Sequence, residues 1–463
     1  MSVTKIISPV DGSVYAERAV AKDETVDGAF ARARQAQRDW RSLSVAERGA
    51  YCTKAVDAML AMGDEIAPEL AWQMGRPVRY GAGELGGFEE RARHMISIAE
   101  DSLANVVPEP KPGFTRYIKR EPLGVVFTIA PWNFPFLTAV NSIVPALMAG
   151  NTVVLKHASH TLLVGERFQQ AFDAAGLPDG VFQNLVMSHD QADRVLSNRM
   201  ADMVCFTGSV AGGKSMEASA QGQFLPMGLE LGGKDPAYVR ANVDVAHAIE
   251  NVADGAFFNS GQSCCGIERV YVHEAVYDQF VEGFVELVRG YVLGNPLDQE
   301  TTLGPLVKAS AADFVRGQIA AAERAGATAH LSRDLFPADT GEGPYLAPQV
   351  LSGVSHEMAV MTEETFGPVA GIMKVSSDDE AIALMNDSAY GLTASIWSRD
   401  EAAAIDIGDR IETGTVFMNR CDYLDPSLAW TGVKHTGRGC TLSRVGYEAL
   451  TRPKSYHLQT DIS

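Results

Sequence analysis

The stretch Phe257-Phe258-Asn259-Ser260-Gly261-Gln262-Ser263-Cys264-Cys265 organises the chain. A helical run leads into it, apolar residues flank it, and two adjacent thiols close it. A lone cysteine is more often a small buried hydrophobe than a nucleophile. A lone glutamate is usually a solvated charge. Two further stretches change that balance, Leu229-Glu230-Leu231-Gly232-Gly233-Lys234 and Pro131-Trp132-Asn133-Phe134-Pro135. Between them they add a carboxylate and a side-chain amide. A thiolate attacks carbonyl carbon, an amide stabilises the oxyanion that forms, and a carboxylate takes a proton from water.

Working outward, short apolar runs alternate with helical ones. Residues 124–129, 152–156, 181–186 and 202–206 read as strands, and 136–148, 162–175 and 190–197 as helices. The alternation resumes after Glu230. Residues 236–239 are a strand, and 243–258 a helix that delivers the cysteine stretch. Strands at 270–272, 369–375 and 394–397 and helices at 275–289 and 309–325 follow, with 333–344 loop-like. Repeated βα units predict parallel sheets covered by helices, in two α/β halves with Glu230 near their junction. Ligands bind such sheets at the carboxyl ends of the strands. Asn133, Lys156 and Ser209 all follow strands and converge there. Residues 26–103 are helical, and Pro108, Pro110 and Pro112 end that region. Residues 114–121 form a strand with alternating charge. Residues 8–12 turn between two short extended runs.

The chain has 463 residues, which suggests roughly two to four domains. A hydrophobic share of 46% is ample for a core. The formal charge of −19, with no Lys or Arg block, argues against a nucleic-acid partner. Cys52, Cys205, Cys264, Cys265, Cys421 and Cys440 show no C-x-x-C spacing. That excludes a disulfide scaffold and a structural zinc site, so no metal is expected. Residues 1–8 lack the apolar run of a signal peptide, and no stretch is long and apolar enough to span a membrane. A working thiol fits a reducing compartment. The expectation is a soluble cytoplasmic protein with no membrane partner.

The three stretches resemble the nucleophile, glutamate and asparagine motifs of the aldehyde dehydrogenases, in the family's order and at about its spacing. The resemblance runs from about Ser8 to the C-terminus. It implies that Cys264 attacks an aldehyde and that Asn133 holds the oxyanion. A hydride passes to NAD or NADP, and Glu230 activates the water that releases a carboxylate. Cys265 is the rival nucleophile, but the motif places the reactive thiol directly after Gln-x. The resemblance assigns the cofactor to Trp132, Lys156, Ser159, Gly208, Ser209, Gly213, Leu231, Glu364 and Phe366, the last two in Glu363-Glu364-Thr365-Phe366-Gly367-Pro368. The aldehyde is expected against Phe134, Leu137, Ser263 and Cys265, and against Arg420, which follows Asn419 where the chain should approach the substrate entrance. A guanidinium at Arg420 would hold the carboxylate of a semialdehyde such as succinate semialdehyde, unless Asp422 or Asp425 pairs with it. The implied fold is α/β, with two Rossmann-like parallel-sheet domains, one for cofactor and one for catalysis, and a small β oligomerisation arm. Residues 1–103 and 123–232 form the first domain, 233–434 the second, and 104–122 with 445–463 the arm. The implied assembly is a homodimer or homotetramer.

Gly208-Ser209-Val210-Ala211-Gly212-Gly213-Lys214-Ser215 also fits the P-loop pattern and, taken alone, would make an NTPase. The residues also admit a non-catalytic homologue and an acylating enzyme that forms acyl-CoA, although Glu230 argues for water. Two segments depart from the family. His157-Ala158-Ser159-His160 stands where Pro-Ser-Glu is common, which replaces an NADP-repelling Glu by Ser159. His157 or His160, if protonated, would add attraction for the extra phosphate. Arg420-Cys421-Asp422-Tyr423-Leu424-Asp425-Pro426 differs from the usual substrate-entrance loop.

Overall fold

A computed structural model describes residues 2–462, so positions 1 and 463 of the expected terminal ranges lie outside the described residues. The strands Val125–Ala130 and Thr152–His157 are buried at every position, as continuous apolar runs in a parallel sheet should be. They lie beside each other at the centre of a six-stranded sheet. Met203–Thr207, Met227–Glu230 and Gly437–Arg438 extend it on one side and Phe182–Asn184 on the other. The helix Pro135–Met148 starts with Pro at its first turn, where no backbone donor is lost, and is apolar nearly all round. The strand expected over 181–186 is shorter because the Val181 N–H turns back onto Pro178 O (3.1 Å).

A second, seven-stranded sheet carries Asp235–Val239 and Ile267–His273 at its centre, and Thr415–Met418 and Thr328–Ala329 at its ends. Within it only Thr328–Ala329 pairs antiparallel. The helical region before residue 104 divides into Asp23–Trp40, Val45–Leu60, Gly63–Met74 and Gly81–Leu103. Ser44 and Glu47 form a capping box that starts the second of these. Phe114–Pro122 pairs along its whole length with Thr451–Gln459 in a separate antiparallel ribbon.

Candidate active site

The helix Val245–Phe257 ends directly before the cysteine stretch. Asn259 and Ser260 both stand at φ 55°, and Gly261 at φ 71°. Three left-handed residues in succession turn the chain sharply, and a Cβ at Gly261 would lie 2.2 Å from Gly367 O. Side-chain amides hold the turn. Asn259 Nδ2 donates to Asn133 O (3.2 Å) and Gln262 O (3.1 Å), and Asn133 Nδ2 donates to Gln262 O (3.2 Å). Buried Arg76 donates to Asn133 O and to Asn259 Oδ1 (3.3 Å), and it pairs with buried Glu84. Glu84 in turn accepts from the Phe136 and Leu137 N–H groups at the start of the next helix. The asparagine and cysteine loops therefore form one hydrogen-bonded unit. The second hydrogen of the Asn133 amide remains for an oxyanion.

A cavity of about 250 Å³ opens in front of this unit. Of the expected residues, Cys264, Cys265, Ser263, Phe134, Leu137 and Glu230 line it. Glu230 ends the strand Met227–Glu230 and accepts from Thr441 Oγ1 (2.6 Å) and Thr207 Oγ1 (3.1 Å). Burial raises its pKa, and the two hydroxyls and Arg91 oppose that rise. A carboxyl so raised is suited to a general base. Cys264 is half-buried, whereas Cys265 is buried and its Sγ donates to Asp422 Oδ1 (3.1 Å). The neighbouring Cys264 thiol and burial push the Cys265 thiol well above its ordinary range.

The expected cofactor residues are outside the wall of this cavity. Gly233 passes so close to the cysteine loop that a Cβ there would lie 2.1 Å from Cys264 O. Its N–H donates to Glu364 Oε1 (3.0 Å), and burial raises the Glu364 carboxyl to about 7. Lys234 Nζ binds buried Glu268 and Thr365 Oγ1, and Glu268 also accepts from the Thr365 and Phe366 N–H groups. Phe366 meets Trp132 edge-on at 5.7 Å, with His160 on the same indole. Leu231 lies over Gly213, and the Gly208 N–H donates to Glu230 O (3.0 Å). Ser209 is exposed and caps the helix Val210–Ser219, accepting from the Gly212 N–H (3.1 Å). Ser159 is exposed at the rim. Lys156 is 6% exposed, and its ammonium meets no hydrogen-bond or ion-pair partner among the described residues. An ammonium on a largely buried side chain with no protein partner suits a hydroxyl or phosphate oxygen of a ligand.

Three expectations are corrected. Gly212, Gly213, Lys214 and Ser215 are wound into the helix that starts at Val210, so the open loop a P-loop needs is missing. His157 is buried with its pKa lowered to about 4, and burial lowers His160 too, so neither adds charge at neutral pH. Arg420 is exposed, stacks 4.1 Å over the Tyr423 ring, and stays outside the cavity wall. It pairs with neither Asp422 nor Asp425. The wall instead holds Arg91, Asp254, Asp422 and Trp430, which motif reading missed. Arg91 did leave a signal, since it is a charge on the apolar face that carries Leu85, Phe88, Ala92 and Met95. Among the described residues no cluster of His, Cys, Asp and Glu has the makings of a metal site, and no helix is long and apolar enough to cross a membrane.

A thiol and a carboxyl line one cavity, and the Asn133 loop is hydrogen-bonded to the loop that carries the thiol. The model of the aldehyde dehydrogenase family matches residues 2–456, and the chain belongs to that family. It is similar to the NADP(+) succinate-semialdehyde dehydrogenase of Mycobacterium avium, at 35% identity over 97% of this chain and 95% of that one. The crystal structure of an NAD-dependent aldehyde dehydrogenase from Sinorhizobium meliloti superposes with a TM-score of 0.93 at 32% identity, over 99% of this chain and 92% of the other. A succinate-semialdehyde dehydrogenase from Burkholderia pseudomallei superposes with a TM-score of 0.93 at 28% identity, over 99% and 95%.

Proposed function

We propose that this enzyme oxidises a semialdehyde, of which succinate semialdehyde is the model, to the dicarboxylate through a thioester on Cys264. What carries the reading is that Cys264 and Glu230 line one cavity, with the Asn133 loop tied to the cysteine loop. The Cys264 thiolate forms a bond to the aldehyde carbon, and the Asn133 amide holds the oxygen as it gains charge. The nicotinamide ring of NAD or NADP, when bound, accepts a hydride. Lys156, Ser209 and Glu364 would hold that coenzyme. Ser159 puts no charge against an extra phosphate, so both coenzymes fit. Glu230 then takes a proton from water as its oxygen attacks the thioester carbon, and the thiolate leaves. In this reading the six-stranded sheet serves the coenzyme and the seven-stranded sheet the thiol. The enzyme works in the cytoplasm, where thiols stay reduced.

The substrate class draws on the relatives named for succinate semialdehyde. The test combines three variants. Cys264→Ala should abolish oxidation while coenzyme binding persists, and Cys265→Ala should keep most activity. Glu230→Gln should accumulate acyl-enzyme, seen as added mass on the Cys264 peptide. A dead Cys265→Ala with an active Cys264→Ala would move the nucleophile. Product released as acyl-CoA when CoA is supplied, and none with water, would favour an acylating enzyme.

A further inference from the structure

We infer that Arg91 receives the distal carboxylate of the substrate, a role that sequence order alone gave to Arg420. The inference rests on the semialdehyde reading above. Arg91 lies on the helix Gly81–Leu103 and is only 8% exposed, yet it lines the same cavity as Cys264. Its Nη1 donates to Leu137 O (2.7 Å) and, at 3.4 Å, to Asn141 Oδ1. Its Nε and Nη2 meet no acceptor among the described residues and neither is sealed from solvent, on a side chain that lines the cavity. Arg76 and Arg269, also buried, each use all three nitrogens on protein acceptors. No carboxylate pairs with Arg91. A guanidinium keeps its charge even when buried. The carboxyls of Glu84, Glu230 and Asp422 act on it only through space, and two free donors in a planar fork match a carboxylate.

Acids also line the cavity, and they set the competing possibility of a cationic substrate. Glu230 is the base. Asp254 is exposed, where solvent and salt screen it. Asp422 accepts from the Cys265 thiol, and burial raises it to about 7, so much of it is uncharged at neutral pH. Among the described residues the one Lys or Arg in the wall is Arg91.

The experiment compares kcat/KM for succinate semialdehyde, butanal and 3-aminopropanal in the wild type and two variants. The wild type should prefer succinate semialdehyde. Arg91→Met should lower its kcat/KM by about a hundredfold, mainly through KM, and should affect butanal far less. Asn141→Asp leaves the guanidinium in place but sets a carboxylate against it, and should raise the same KM selectively. That variant decides the matter if Arg91→Met does not fold. A wild type that prefers butanal or 3-aminopropanal overturns the semialdehyde reading and this inference together. A strong preference for succinate semialdehyde that survives in the folded variants overturns Arg91 alone. Equal loss on succinate semialdehyde and butanal makes Arg91 structural and also overturns the inference.

Discussion

Cys264 and Cys265 are neighbours in the chain and differ in their surroundings, one half-buried, the other held by Asp422. Glu230 is set in the same manner, by what touches it. Thr441 donates its hydroxyl proton to the charged carboxylate and so lowers a pKa that burial raises. Thr441→Val removes that donor, so the Glu230 pKa moves further up. In the proposed mechanism Glu230 acts as a base only when ionised, so the rising limb of the deacylation rate against pH should move to higher pH. A net hydrogen bond of about 1 kcal/mol corresponds to a shift of roughly 0.7 unit. A limb that stays in place would show that Thr441 does not tune the base. Cys264, Glu230 and Asn133 were legible because the proposed chemistry calls for those residue types and the family resemblance supplies their order and spacing. Arg420 was misplaced because adjacency does not give direction. Asn419 and Asp422 both stand at positive φ, so the chain turns twice, Asp422 enters the cavity wall and Arg420 stacks outside on Tyr423. Arg91 reaches the site from a helix with no motif, where only the charge on an apolar face betrays it.

Elements place these residues through a few buried polar ties. Glu268 stands on the strand Ile267–His273, and its carboxylate takes the Thr365 and Phe366 N–H groups and the Lys234 ammonium. It therefore fixes the loop that carries Glu364 and Phe366 to the strand end that follows Glu230. Glu268→Gln would leave the Lys234 ammonium buried without a counter-ion, and breaking a buried pair costs about 3–5 kcal/mol. The variant should melt at a clearly lower temperature and bind coenzyme more weakly, read by thermal unfolding and by fluorescence titration. An unchanged melting temperature with full coenzyme affinity would show that the loop holds itself. The two strands at the centre of the six-stranded sheet were legible because both faces are buried and the apolar run is continuous. The strand Gly437–Arg438 was not, because two residues carry no periodicity. It is specified only by pairing antiparallel with Leu229 and Glu230, and that pairing brings Thr441 to the base.

On the scale of the whole molecule, the site belongs to neither sheet alone. Asn133 follows a strand of the six-stranded sheet and Glu230 ends another, whereas Cys264 and Glu364 come from loops of the seven-stranded one. The βα alternation announced two such halves, but the contact that joins them is made by the Asn133, Asn259 and Arg76 side chains, which are far apart in sequence. The ribbon of Phe114–Pro122 and Thr451–Gln459 joins neither large sheet among the described residues; Val106 bridges the far edge of Phe114–Pro122 at Ile118, and Thr451–Gln459 keeps an open edge. Thr415–Met418 is likewise the end strand of its sheet, with Val416 42% and Ile405 58% exposed beside it. Unpaired edges with apolar neighbours invite pairing with another chain unless they are covered. A second copy of this chain would cover them, in keeping with the homodimer or homotetramer expected from sequence. Val416→Lys places a charge on the open edge, which a paired interface would have to desolvate. Sedimentation velocity should show the wild type as an oligomer and the variant shifted toward monomer, with its melting temperature little changed. A monomeric wild type would sink the oligomer itself. An oligomer indifferent to the lysine would move the interface away from the Thr415–Met418 edge.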